Sequence, residues 1–233
     1  NTIEWRLIKK VIFLSARTIA IDKSTKDELN DFFGAKVDYI PNPVDLKSLP
    51  VPSESTDKTV MYLGWVVKQK GIEELIASWG SIQSEDNDWK LQIVGPYKQE
   101  YIDELREKYS FESIELIGEK SHEEAMELLN SASVFVLPSY TEGCPYVIIE
   151  AMALKKIIIG TKVGNIPEML GSNCGILIDA GNVEELKMRL EQVITETESF
   201  TEFRESALEK VVKEYDIATI SSKILSIVKE ITK

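Results

Sequence analysis

Residues 134–153 read Val-Phe-Val-Leu-Pro-Ser-Tyr-Thr-Glu-Gly-Cys-Pro-Tyr-Val-Ile-Ile-Glu-Ala-Met-Ala. Val134 to Leu137 is an unbroken apolar run of strand-forming residues, the pattern of a strand covered on both faces. Pro138, Ser139 and Tyr140 turn the chain, and Glu142-Gly143-Cys144-Pro145 follows. Gly143 lets backbone approach closely, and Pro145 suits the first turn of a helix. From Tyr146 to Leu154 the predicted helix is apolar on nearly every face, which implies burial. Glu150 therefore falls where a carboxylate is costly unless something pairs with it. Two readings follow. Either Glu150 is structural, held by a neighbouring Arg, Lys or backbone amide, or it points to the helix start and binds a polar ligand.

Outward from this stretch the chain alternates strand and helix. Val60–Leu63, Leu91–Val94, Ile114–Ile117, Ile157–Ile159 and Gly175–Ile178 read as strands. Helices are predicted over Ile72–Ile82, where Ile72, Leu75, Ile76 and Trp79 recur at helical spacing, and over Tyr101–Tyr109. Ser121 with Glu124, and Asn182 with Glu185, have the spacing of helix-starting caps. Such a rhythm predicts an α/β, Rossmann-like parallel sheet with helices on both faces. Before it, Ile3–Ser15 reads as a helix, Thr18–Ile21 as a strand, and Ser24 with Asp27 as the start of a helix whose apolar side is Leu29, Phe32 and Phe33. Lys36–Ile40 is a further strand, ending in the turn Pro41-Asn42-Pro43-Val44-Asp45. Asn42 and Asp45 there fit ordinary turn chemistry. Residues 47–58 hold two prolines and three serines and read as a linker. Two helices close the chain, the second carrying the stripe Ile217, Ile220, Ile224, Ile227, Val228 and Ile231, a pattern that usually marks core packing.

Composition narrows the function classes. The 233 residues can bury one good core, and 43% hydrophobic with 28% charged residues excludes disorder. A net charge of −12 argues against a nucleic-acid partner, which calls for a basic surface. Cys144 and Cys174 are too few for a disulfide framework and favour a reducing, cytoplasmic setting. No apolar run approaches the roughly 20 residues of a membrane span. Asp86-Asn87-Asp88 mimics a metal-binding Asp-x-Asp, but it lies in a polar loop. His122, the one histidine, falls in the first turn of a capped helix and reads as a surface residue. One His with two distant Cys offers no zinc spacing.

The pattern Pro-Ser-x-x-Glu-Gly-x-Pro-x-x-x-x-Glu-Ala-Met-Ala, with Glu142 and Glu150 separated by seven residues, resembles the retaining GT-B glycosyltransferases, specifically glycosyltransferase family 4 (the group 1 type). The resemblance covers roughly Ser15 to Val228. It implies that the chain, which begins at Asn1 without an initiator Met, is the C-terminal, donor-binding half of such an enzyme. Residues 1–45 would end the acceptor-side domain and hinge, 46–58 link, 59–215 bind the nucleotide sugar, and 216–233 cross back toward the absent domain. Part of the 217–231 stripe would then be exposed. Glu150 would accept ribose hydroxyls, Glu142 would reach the donor sugar, and the backbone of Gly143, Cys144, Pro145 and Tyr146 would frame sugar or phosphate.

Gly64-Trp65-Val66-Val67-Lys68-Gln69-Lys70-Gly71 is a strand-to-helix turn with two lysines, a place that favours an anion. It resembles the family's Gly-Arg-x-x-x-x-Lys-Gly, which assigns Lys70 to the leaving diphosphate. Trp65 stands where the family has Arg, and Lys68 is the candidate for the second charge. The loop Ile117-Gly118-Glu119-Lys120 ends a strand at the side where open α/β sheets bind ligands, and by resemblance Gly118 and Glu119 lie near the base. Thr161–Glu168 is like the family's Gly-Gly-x-Pro-Glu turn with Asn165 for the second Gly; a turn capping a short helix is as good a reading as a ligand contact. Pro43 likewise departs from the family's Asn-Gly-Val-Asp.

The implied donor is a UDP- or GDP-sugar and the acceptor a saccharide or lipid-linked saccharide, with no cofactor and no metal, since lysine supplies the charge. Peripheral contact with the inner face of a membrane would run through the absent domain. The remaining alternatives are a glycogen or sucrose synthase relative, a GT-B epimerase, and an inactive or regulatory nucleotide-sugar module.

Overall fold

The computed structural model describes residues 2–34, 37–53, 57–82 and 88–232. Helix α1 (Thr2–Leu14) leads into β1 (Thr18–Ala20), α2 (Lys23–Phe33) and β2 (Val37–Tyr39). β1 and β2 pair in parallel as a small sheet of their own. The start of α2 lies earlier than Ser24. Asp22 caps it, accepting from the Thr25 amide at 2.7 Å, while the Ser24 hydroxyl donates to the same carboxylate. An anionic oxygen is the stronger acceptor for helix-start amides and is favoured by the dipole. On the predicted apolar side Leu29 is half-buried, but Phe32 is exposed.

The rest of the chain builds a second sheet: β3 (Thr59–Leu63), α3 (Ile72–Gly80), β4 (Lys90–Val94), α4 (Gln99–Lys108), β5 (Ile114–Gly118), α5 (His122–Ser131), β6 (Val134–Leu137), α6 (Tyr146–Ala153), β7 (Ile157–Thr161), α7 (Ile166–Leu170), β8 (Ile176–Ile178) and α8 (Val183–Thr195). Helices α9 (Thr201–Glu214) and α10 (Ile217–Ile231) follow. The six strands are all parallel, in the order β5-β4-β3-β6-β7-β8. Every residue of β6 and β7 is buried, which is why Val134–Leu137 and Ile157–Ile159 read as continuous apolar runs. Ile72, Leu75, Ile76 and Trp79 bring α3 onto this core at no more than 1% exposure, each contributing roughly 1.5–3 kcal/mol by burial.

The strand order reverses between β3 and β6. Chain leaving β3 runs to one side and chain leaving β6 to the other, so a crevice opens beyond their carboxyl ends. The loops at 64–71 and 138–145 therefore share one edge of the sheet.

The proline-rich stretch expected to be a linker is docked on the sheet's helices. Asp45 caps a short 3-10 turn at Leu46–Ser48. Asn130 then grips the chain further on, donating to the Val51 carbonyl at 2.9 Å and accepting from the Ser53 amide at 3.0 Å. The last helix is only partly core. Ile220 is buried, whereas Ile217, Ile224, Val228 and Ile231 are exposed. Asp86 and Asn87, part of the Asp-x-Asp look-alike, lie outside the described residues.

Candidate active site

Gly71 decides how the two loops meet. It ends the 3-10 turn Lys68–Lys70 with φ +71°, and a Cβ there would sit 2.1 Å from the Pro138 carbonyl oxygen. Any other residue would force the loops apart. The Tyr140 amide also donates to the Gln69 carbonyl at 2.9 Å. Held this way, Lys70 Nζ donates to Glu142 Oε1 at 2.6 Å, and the buried Ser139 hydroxyl donates to the same oxygen at 2.7 Å. The pair is half-shielded, with side-chain exposures of 28% and 10%. An ammonium has three donors, so Lys70 keeps capacity for a second anion.

Behind Glu142 the chain is buttressed. Gly164, at φ +53°, approaches so closely that a Cβ would lie 2.0 Å from the Glu142 carbonyl oxygen. The Asn165 amide donates to the Gly143 carbonyl at 2.8 Å, and its side chain reaches the Tyr39 hydroxyl at 2.9 Å. The Thr161–Glu168 turn thus supports the loop from below. Asn42, read from sequence as turn chemistry, does more: its amide donates to the Cys144 carbonyl at 2.7 Å across 102 residues. Asp45 alone keeps the expected turn role. Cys144 itself is buried, with its thiol pushed up by desolvation, so it acts here through its backbone.

Glu150 projects from the third residue before the end of α6 with its side chain 11% exposed. Its partner is neither Arg, Lys nor backbone amide. It is His122, whose Nε2 lies 2.7 Å from Glu150 Oε1. With the carboxylate as acceptor, Nε2 is assigned as the donor in this contact. His122 is exposed, as expected of a first-turn residue, yet it is engaged by a group 28 residues away. That distance hides the pair from sequence. The available signal was the β5–α5 loop at the strand's carboxyl end, followed one turn later by an imidazole.

Both pairs line one cleft of about 630 Å³, together with Gly64, Trp65, Pro145, Tyr146 and Lys120. Trp65 is 67% exposed and lies against the cleft, so it is not a core residue. Tyr62 lies beneath and donates to the Trp65 carbonyl at 2.7 Å, its phenol pushed up by burial. Lys68 is placed elsewhere. It lies over the Tyr101 ring and lines a separate hollow with Glu73, Glu74 and Tyr140, whose phenol is pushed up to about 12 by its hydrogen bond to Glu74. Gly118 and Glu119 sit at the end of β5, and Lys120 and His122 from that segment reach the cleft wall instead. Gly143, exposed, and Cys144, buried, are not among the residues that line this cleft. Among the described residues no three His, Cys, Asp or Glu side chains gather as a metal cluster, and no helix is long and apolar enough to cross a membrane.

Comparison with known proteins adds the family. Residues 47–210 match the family described as glycosyl transferases group 1. An uncharacterized glycosyltransferase of Methanocaldococcus jannaschii is 29% identical over 187 residues, covering 79% of this chain and 51% of that protein. The capsular polysaccharide biosynthesis glycosyltransferase CapM of Staphylococcus aureus is 31% identical, over 58% of this chain and 36% of that protein. The chain spans about half the length or less of such curated relatives. Among solved structures, sucrose-phosphate synthase from Thermosynechococcus elongatus superposes with a TM-score of 0.87 at 20% identity, over 100% of this chain and 62% of that one. Anabaena HepE in complex with UDP and glucose gives 0.81 at 18%, over 97% and 66%. These likenesses establish the GT-B fold, and the match over 47–210 shows that the chain belongs to the group 1 glycosyl transferases.

Proposed function

We propose that this chain is the donor-binding half of a retaining glycosyltransferase of family 4. It would take a UDP- or GDP-sugar and serve transfer to a saccharide or lipid-linked acceptor in surface-polysaccharide assembly on the cytoplasmic side. Residues 1–45 and 216–233 would belong with the other half. One observation carries this reading: at the strand-order reversal, Lys70 meets Glu142 in a cleft that Glu150 also lines. The naming of CapM and the UDP bound by HepE agree with it.

The chemistry follows from charge. As the glycosidic bond to phosphate breaks, the departing diphosphate gains negative charge. Lys70, already anchored by Glu142, meets that charge without reorganising, and amides at the start of α6 add donors. Glu142, beside the phosphate end, is placed to accept from donor-sugar hydroxyls. Glu150 accepts from the ribose. Contacts to the acceptor would come from the other domain, so this chain alone binds but lacks the proximity that transfer requires.

Calorimetric titration of UDP, GDP and ADP into residues 1–233 tests the reading, with a radiolabelled sugar-transfer assay alongside. Binding of at least one diphosphate without transfer is expected. Binding of none, or appreciable transfer by the chain alone, would overturn it.

A further inference from the structure

We infer that His122 is the positioning residue for Glu150, fixing which carboxylate oxygen is left to a ribose; the inference rests on the donor-site reading above. His122 shares a helix face with Ala125 and Met126, three and four residues on. Both are buried, at 5% and 1%, and both line the cleft with it. The first turn of α5 thus sets the imidazole on the open wall of the cleft. That turn is held by a capping box, Ser121 accepting from the Glu124 amide while Glu124 Oε2 accepts from the Ser121 amide at 3.0 Å.

The contact uses one oxygen. Nε2 of His122 lies 2.7 Å from Oε1 of Glu150, and among the described residues it is the one side chain bonded to this carboxylate. A glutamate side chain otherwise loses rotamer freedom when a ligand orders it. With His122 in place that ordering precedes binding. Oε2, the oxygen that His122 does not hold, stays available to the adjacent hydroxyls of a ribose. His122 acts through Glu150 and not on the sugar or the diphosphate.

The atom making the contact provides the test. The amide nitrogen of Gln reaches where Nε2 sits, whereas that of Asn corresponds to Nδ1 and falls short. His122→Gln, His122→Asn and His122→Ala would be titrated with whichever of UDP, GDP and ADP the wild-type chain binds best, and with its 2′-deoxy counterpart. Because the His122 side chain is 62% exposed, all three should melt with the wild type.

His122→Ala and His122→Asn should weaken binding by about tenfold, the loss of one charge-assisted hydrogen bond's worth of preorganisation, and His122→Gln by about twofold or less. On the 2′-deoxy probe the penalty of His122→Ala should shrink to about threefold or less, because part of what Glu150 offers has no partner. Equal affinity of His122→Ala and wild type, rescue by Asn as complete as by Gln, or an undiminished penalty on the deoxy probe would overturn the positioning role alone. A wild-type chain that binds no diphosphate would overturn the donor-site reading, and this one with it.

Discussion

Lys70 Nζ lies 2.6 Å from Glu142 Oε1, although 72 residues separate them in the chain. The cation proposed to meet the diphosphate is therefore already partnered by a carboxylate, and its position is set by Glu142, Ser139 and the close approach of Gly71 to Pro138.

Removing the cation should be felt by the diphosphate and hardly by the nucleoside. Lys70→Ala is expected to weaken diphosphate binding by roughly 1.5–3 kcal/mol, the range for charge-assisted hydrogen bonds. Titration of both ligands at low and high salt measures this, since a half-exposed charge is screened by salt. Equal losses for nucleoside and diphosphate would place the phosphates somewhere else. Glu142→Ala should leave nucleotide affinity near wild type while lowering turnover of the full-length enzyme.

Glu150→Gln keeps the shape of the side chain and removes the charge. Nucleotide affinity should fall by about 1–3 kcal/mol as a neutral acceptor replaces a carboxylate. The His122 contact is weakened but not abolished, so stability should drop by roughly 1 kcal/mol or less. Denaturant melts set beside titrations distinguish the outcomes: a sharp loss of stability with unchanged affinity would make Glu150 structural.

The position held by Arg in the resembled pattern is Trp65, exposed on the cleft wall. Trp65→Arg should thus be tolerated by the fold and should tighten diphosphate binding, because a guanidinium can make a bidentate contact. Lys68→Ala should leave that affinity unchanged, since Lys68 faces a different hollow. A drop on removing Lys68 comparable to that for Lys70 would show that the loop moves on binding.

Lys156 offers a pH test away from the cleft. It is buried at 2% exposure, donates to the Asn130 carbonyl at 2.7 Å, and desolvation with Arg204 nearby brings it down from 10.5 to about 8. The folded value lies below the unfolded one, so the unfolded chain binds more protons between about pH 8 and 10.5 and the site's contribution improves as pH rises through that window. Below it the charged form carries its full cost, on the order of 3 kcal/mol. Denaturation of wild type and Lys156→Met across pH 7–10.5 should show Lys156→Met gaining relative stability at pH 7 and losing that advantage toward 10.5. A difference constant with pH would mean Lys156 reaches solvent.

Much of this could be read along the chain. The apolar run Val134–Leu137, the caps Ser121–Glu124 and Asn182–Glu185, and the spacing of Ile72, Leu75, Ile76 and Trp79 are local signals, because strand and helix periods are set by neighbouring residues. Glu142 and Glu150 are singled out by the resemblance of their spacing to a known family, after the buried strand Val134–Leu137. The start of α2 moved from Ser24 to Asp22 because two good caps stood two residues apart, and local rules do not rank them.

Pairing was the part that sequence could not settle. Lys70 with Glu142, Glu150 with His122, and Asn42 with the Cys144 carbonyl each join segments far apart in the chain within 2.6–2.7 Å; the reversal of strand order between β3 and β6 brings the first pair together, the packing of α5 beside α6 the second, and the placement of the segment after β2 against the 142–145 loop the third. Lys68 and Lys70 make the point most simply. They are two residues apart and chemically identical, yet the single 3-10 turn between them sends one to the cleft and the other over Tyr101.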